Sequence, residues 1–413
     1  MRPCMSRSWL FALGLLPFAA TAALGQGFSS GSTGADGALT FAPNQGSVAF
    51  VPSKAVYNFT TITIGAGTTV TIKGSGTPVT VAPLTWLASG DVTIAGTLDL
   101  SGDDGHSTSV KGFPTRPGYG GWPGGQGADA NAGTLQQNGS GPGGGVPSTG
   151  AGAAFHLTGS RRYGNRFLLP LLGGSGGAGG STFSSTDGPG GGGGGGALLI
   201  ACSGTIDVAG SVQARGGNAG TGGASGGGGS GGAVRFVANV IQGSGFIDVG
   251  GGFNANSTSQ GGSRGRIRLE APVCTLTDLR PGLSSVFLSS TPGPLTPPSS
   301  TPTVRLVEVQ YTDVNGVART AAVTTNNASS SIPDVALATN GAITFVFEGY
   351  RVPAGTFVRV HVSAEEGGTS FTLPNVNLQT VSGDVTRGST TVQLSGNSGF
   401  PNGFSRVFYT ANW

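Results

Sequence analysis

Charge is scarce in this chain. Only 9% of its 413 residues are Asp, Glu, Lys or Arg, against roughly 25% in ordinary globular proteins. The formal net charge is +3, and removing Arg2 and Arg7 leaves about +1. A clustered basic surface for nucleic acid is therefore excluded. Cysteine is almost absent, with Cys4, Cys202 and Cys274 alone, which excludes a disulfide scaffold. The three histidines, His106, His156 and His361, show no metal-ligand spacing to one another or to cysteine. Beyond the N-terminus no apolar run is long enough to span a bilayer.

Glycine fills the space these absences leave. The chain holds 80 Gly and 24 Pro, about a quarter of its length, a level at which low complexity becomes a serious reading. Disorder, however, needs low hydrophobicity and high charge. Here 37% of the residues are hydrophobic and the mean hydropathy is +0.08. Ordered β-structure with glycine-rich loops fits both facts.

Residues 1–25 read as a secretory signal peptide. Arg2 and Arg7 form a basic start, Trp9 to Ala20 an apolar stretch, and small residues follow. The mature chain is expected to be secreted or held at the cell surface, without a transmembrane segment. Residues 26–288 carry a repeat. "WLASGDVTIAGTLDLSG" from Trp86, "ALLIACSGTIDVAGSVQARGG" from Ala197 and "AVRFVANVIQGSGFIDVGG" from Ala233 align at Gly96, Gly210 and Gly245, and again at Leu98, Val212 and Ile247. "GRIRLEA" from Gly265 repeats "GAVRFVA" from Gly232. Recurrence at such a spacing signals stacked coils. Val92, Ile94, Leu98 and Leu100 alternate with Thr93, Ala95 and Asp99, so one face is buried and the other wet. The expected fold is all-β, a parallel β-solenoid. "VYNFTTITI" (56–64) and "TTVTI" (68–72) read as its first strands.

Long glycine-rich inserts, roughly 112–196, 216–232 and 250–265, leave this solenoid at equivalent points. Inserts stacked at one corner must approach more closely than side chains allow. They read either as extended glycine helices hydrogen-bonded to one another or as flexible linkers. "SSTPGPLTPPSSTP" (289–302) is a linker that cannot continue a sheet. Residues 303–413 hold regularly spaced short strands and an Asn315-Gly316 hairpin signal, which implies an immunoglobulin-like β-sandwich.

With "YNFTTITIGAGTTVTI", "LASGDVTIAGTLDLSG" and "GGGGSGGAVRFVANVIQGSG", residues 28–270 resemble a group of glycine-rich exported bacterial β-solenoid proteins. That resemblance, to adhesin-like proteins of unassigned function, implies the architecture alone. It brings no catalytic residue with it.

Asp103, Asp104 and His106 in "SGDDGHS" are the residue types for acid–base chemistry on a polysaccharide. One crowded polar turn is the preferred reading of them, and "GRIR" (265–268) has its place in the repeat. "GGQGADANA" (124–132) approaches a calcium nonapeptide, but such sites need successive copies and one is present. No cofactor or metal is implied. "RRYGNRFLLPLL" (161–172) interrupts the glycine. Arg161, Arg162, Tyr163, Arg166, Phe167, Leu168 and Leu169 together have the composition of a contact patch. A flap over the apolar surface of the solenoid is the competing reading. The function expected is structural or adhesive, toward a cell-surface polysaccharide or protein, with a polysaccharide-degrading hydrolase or lyase as the alternative.

Overall fold

The computed structural model describes residues 27–74, 82–107, 114–131, 136–146, 163–182, 186–222, 226–254, 261–296, 302–323, 337, 339, 341–364, 371–393 and 405–412. The signal peptide, Arg161, Arg162 and His156 lie outside them.

The first part of the chain winds through six coils of three strands each. The first coil has β1 (Leu39–Phe41), β2 (Gly46–Ala49) and β3 (Val56–Phe59). The second has β4 (Ile62–Ile64), β5 (Thr68–Thr71) and β6 (Leu84–Ala88). In the third, β7 (Val92–Ile94) and β8 (Thr97–Asp99) are separated from β9 (Ala197–Cys202) by the longest insert. The fourth comprises β10 (Thr205–Val208), β11 (Ser211–Gln213) and β12 (Ala233–Val237). The fifth comprises β13 (Val240–Gln242), β14 (Phe246–Asp248) and β15 (Arg266–Glu270). The sixth ends the stack with β16 (Val273–Cys274), β17 (Asp278–Arg280) and β18 (Val286–Ser289).

Equivalent strands pair into three parallel six-stranded sheets, β1-β4-β7-β10-β13-β16, β2-β5-β8-β11-β14-β17 and β3-β6-β9-β12-β15-β18. Leu98, Val212 and Ile247 stand in one register, as do Arg235 and Arg268. The repeat alignment and the β-solenoid are thus the observed architecture. Stacking follows from the alternation. Ile62, Val92, Ile206 and Ile241 form one fully buried column and Val70, Leu98, Val212 and Ile247 another. Each such side chain contributes about 1.5–3 kcal/mol of burial. Phe41, Phe50, Tyr57, Phe59 and Trp86 close the N-terminal end, with the rings of Phe50 and Trp86 5.4 Å apart and edge-on.

The solenoid starts two strands earlier than the sequence suggested. β1 and β2 precede the stretches expected to begin it, and they are short and largely exposed. An incomplete end coil has a neighbour on one side only, so its apolar alternation is weak. Cys202, buried, and Cys274, half-buried on a different sheet, are both free thiols. Burial pushes the Cys202 thiol up to about 12.

Residues from 303 onward form antiparallel structure. β19 (Thr303–Thr312), β20 (Ala318–Ala322), β21 (Ala342–Tyr350), β25 (Gln379–Ser382) and β26 (Val385–Gln393) make one sheet, ordered β20-β19-β21-β26-β25. β22 (Phe357–Ala364) pairs with β23 (Phe371–Thr372), β24 (Val376–Asn377) and β27 (Ser405–Asn412) in the other. Ile343, Phe345 and Phe347 of the first sheet share a core with Val358, Val360 and Val362 of the second. Gly316, at φ +79°, makes the β19–β20 turn. Among the described residues there is no α-helix, only a 3-10 turn at Leu283–Ser285.

Candidate functional site

Every long insert leaves between the second and third strand of its coil, so all emerge at one corner of the prism. What they do there depends on glycine. The run 188–196 is "GPGGGGGGG", and its amides point outward in a threefold rotation. Gly190, Gly193 and Gly196 donate to the carbonyls of His106, Asp103 and Leu100. Gly188, Gly191 and Gly194 donate to those of Ala128, Gly125 and Trp122. Gly192 and Gly195 donate to Gly227 and Ser230. All eight bonds measure 2.8–3.0 Å. Three more segments donate back: Gly174 and Gly177 to Gly195 and Gly192, Gly217 and Gly220 to Gly193 and Gly190, and Gly118 to Gly194. A period of three, with no bond inside the run, is the habit of the polyproline II helix. Here it is built from glycine and surrounded by six neighbours.

Glycine is required because the neighbouring backbones touch. A Cβ on Gly192 would overlap the Gly217 carbonyl oxygen, one on Gly194 that of Gly174, and one on Gly229 that of Gly193. The bonded backbone satisfies itself where water is excluded. Of the two readings the sequence left open for the inserts, the mutually bonded one is observed. Ser175 and Ser230 are fully buried inside this lattice. The Ser175 amide donates to Ser230 Oγ at 2.7 Å, and Ser175 Oγ donates to the Tyr163 hydroxyl at 3.1 Å. Tyr163 in turn donates to the Gly173 carbonyl at 2.6 Å. Burial raises the Tyr163 phenol above its ordinary range. Two serines among glycines gave no sequence signal of this network.

The acid–base candidates belong to the first leg of the lattice. Asp103 lies between two cations: Lys73 Nζ is 3.0 Å from Oδ1, and Arg116 Nε donates to Oδ2 at 2.9 Å. Asp104 Oδ1 accepts the Asn218 amide at 2.7 Å. The His106 carbonyl accepts from Gly190. All three are therefore tied to lattice contacts. In the nonapeptide-like stretch, Asp129 Oδ1 accepts the Asn131 amide in a local turn. Among the described residues no group of three or more His, Cys, Asp or Glu is placed to hold a metal. Asp99, Gln213 and Asp248 stand in register on the outer face, as their alignment implied.

The 161–172 stretch is divided. Tyr163, Leu168 and Leu171 are buried against Ala197, Leu199, Ala201, Ala233 and Val237, the outer face of β9 and β12. Arg166 and Phe167 stay outside, with Phe167 48% exposed. Phe167 lies near the Arg166 and Arg268 guanidinium groups, 5.0 and 5.3 Å from its ring. Leu169 is half-buried, and its carbonyl accepts from Asn165 at 2.6 Å. Leu168→Ser is expected to cost about 2–5 kcal/mol. Phe167→Ser should cost well under half of that. Thermal denaturation of both variants checks the contrast, and equal losses would mean that Phe167 is also part of the cover.

Next to this cover sits a buried ion cluster. Glu270 Oε1 accepts from Arg235 Nε at 2.7 Å and from Arg268 Nε at 2.6 Å. Its other oxygen accepts the Gly293 amide at 2.5 Å. Arg235 also donates to the Pro294 carbonyl at 2.9 Å. The Glu270 and Arg235 side chains are 0% and 2% exposed. Burial by itself would raise the Glu270 carboxyl, but the bonds and charge of Arg235, the bond from Arg268 and the Gly293 amide hold it below the usual carboxylate range.

These features define a class of architecture: a three-sided β-solenoid bearing an ordered glycine lattice along one corner. None of the known family models, curated proteins or solved structures matches the chain.

Proposed function

We propose that this chain is an exported structural or adhesive surface protein, adhesin-like and without catalytic activity. Export rests on the leader-like first 25 residues. The observation that carries the structural reading is the lattice. It projects from one corner of the solenoid as a stiff support, with its backbone donors and acceptors bonded to one another. Recognition is commonly carried by loops placed on a rigid scaffold. The pairing of Asp103 with Lys73 and Arg116 supports the non-catalytic side of the reading, because that carboxylate already serves two cations.

Two measurements test it. Fractionation of producing cells should find the mature chain outside the cytoplasm, retained on a surface or bound to a surface glycan or protein. The Asp103→Asn, Asp104→Asn double variant should keep that binding. Release of reducing or unsaturated sugar by the parent protein, lost in the double variant, would instead establish the hydrolase or lyase alternative.

We further propose that the solenoid and the sandwich are separate folding units joined by residues 289–302. Limited proteolysis should cut near 290–302 and leave two resistant fragments. A single indivisible core would contradict this division.

A further inference from the structure

The lattice stops one layer short of the end of the solenoid. Coils three, four and five each send an insert outward, but in the sixth coil only Pro281–Ser285 join β17 to β18. The last pair of glycine legs, 249–254 and 261–265, is therefore left uncovered on that side. Between these legs and the sixth coil lies an open cleft of about 690 Å³. Its floor includes Gly250, Gly251 and Gly262, so a ligand meets backbone rather than side chains.

Three arginines from three successive layers line the cleft, Arg215, Arg264 and Arg280. Asp248 lies 3.7 Å from Arg215, and Arg280 is held by Asp278 through bonds of 2.9 and 2.6 Å. Arg280 also lies over the Phe246 ring at 3.9 Å, which fixes its plane. Arg264 reaches only Ser284 Oγ, at 3.3 Å, and has no carboxylate partner among the described residues. Asp248, Leu279 and Pro281 also line the cleft, and Phe253, 67% exposed, gives it an aromatic wall. Arginine binds planar carboxylates through paired hydrogen bonds. An exposed aromatic ring offers an apolar face to a partner that is itself part apolar. Arginine and aromatic side chains together are the usual anchors of binding energy.

We propose that this cleft binds an acidic polysaccharide, with a uronate carboxylate on Arg264 and the apolar face of the sugar ring on Phe253. The inference rests on the adhesive reading above and names the class of glycan that reading would serve. A glycan fits the open-ended shape, and a carboxylate supplies the partner that Arg264 lacks.

The test uses the full mature chain with three probes: de-esterified oligogalacturonate, the same oligomer fully methyl-esterified, and dextran sulfate. Calorimetry should show binding to the de-esterified oligomer, at least tenfold weaker binding to the ester, and weakening as salt rises. Arg264→Ala should lose tenfold or more, and Phe253→Ala several-fold, with melting temperatures unchanged because both side chains are exposed. Equal binding of acid and ester would overturn the proposal, as would dextran sulfate binding as tightly as the uronate or an unaffected Arg264→Ala. If the chain stays on cells or binds neutral glycan yet ignores the uronate, the adhesive reading stands and this inference falls. If it binds neither surface nor glycan, both fall.

Discussion

Gly192→Val should cost about 3 kcal/mol or more, and is expected to show as a large fall in melting temperature or a failure to accumulate folded protein. Overpacking in a dense interior ordinarily costs about 1–3 kcal/mol because neighbours shift. Here the obstructing atom is the Gly217 carbonyl oxygen, which accepts the Gly229 amide and belongs to a residue whose own amide donates to Gly193. It cannot rotate away as a side chain would. Moving Gly192 instead would strain its own bonds to Gly177 and Gly227. Gly250→Ala is the control. Its Cβ would meet only side-chain ends, Asp248 Oδ1 at 3.1 Å and Arg215 Nε at 3.9 Å, and a loss within about 1 kcal/mol is expected. Equal tolerance of both substitutions would mean that the inserts are not packed as described.

Glu270→Gln should destabilise the solenoid by about 3–5 kcal/mol, the cost of leaving buried charge uncompensated. The amide has nearly the same shape, so the loss reports the charge. Arg235 would keep its Pro294 bond but lose its anion, and Arg268 would lose the same partner. The pH dependence carries the same signature. A carboxyl held low in the folded state stabilises fully above its unfolded value of about 4.3, and that stability is lost as pH falls below it. Denaturation curves of the parent should weaken progressively through this acid range, and those of Glu270→Gln should weaken less. Parallel curves would remove Glu270 from the account.

Much of the solenoid was legible because its core is a column. Ile94 or Val212 repeats a neighbour one coil away, and such recurrence is visible in a single chain. The exits of the inserts were legible for the same reason. The lattice was readable as a question only, because "GPGGGGGGG" has no side chains through which to declare its neighbours. Its partners, such as His106 and Gly227, are chosen by backbone geometry. The 161–172 stretch split for another reason: composition places Leu168 and Phe167 in one apolar class, and only the covered face of β9 and β12 separates them. Glu270 was quoted in the repeat without a role. Its partners are Arg268, two residues away, Arg235, one coil away, and Gly293 in the segment beyond, and no local spacing connects the four.

The threefold rotation of the glycine legs also sets a rule for how this chain can change in length. Deleting or adding one residue within a leg turns every later amide by about 120°, so Gly192 would address the segment that Gly191 addresses now. Three residues restore the phase. The legs should therefore tolerate length changes only in whole turns of three residues. Like a reading frame, the lattice keeps its interior in step.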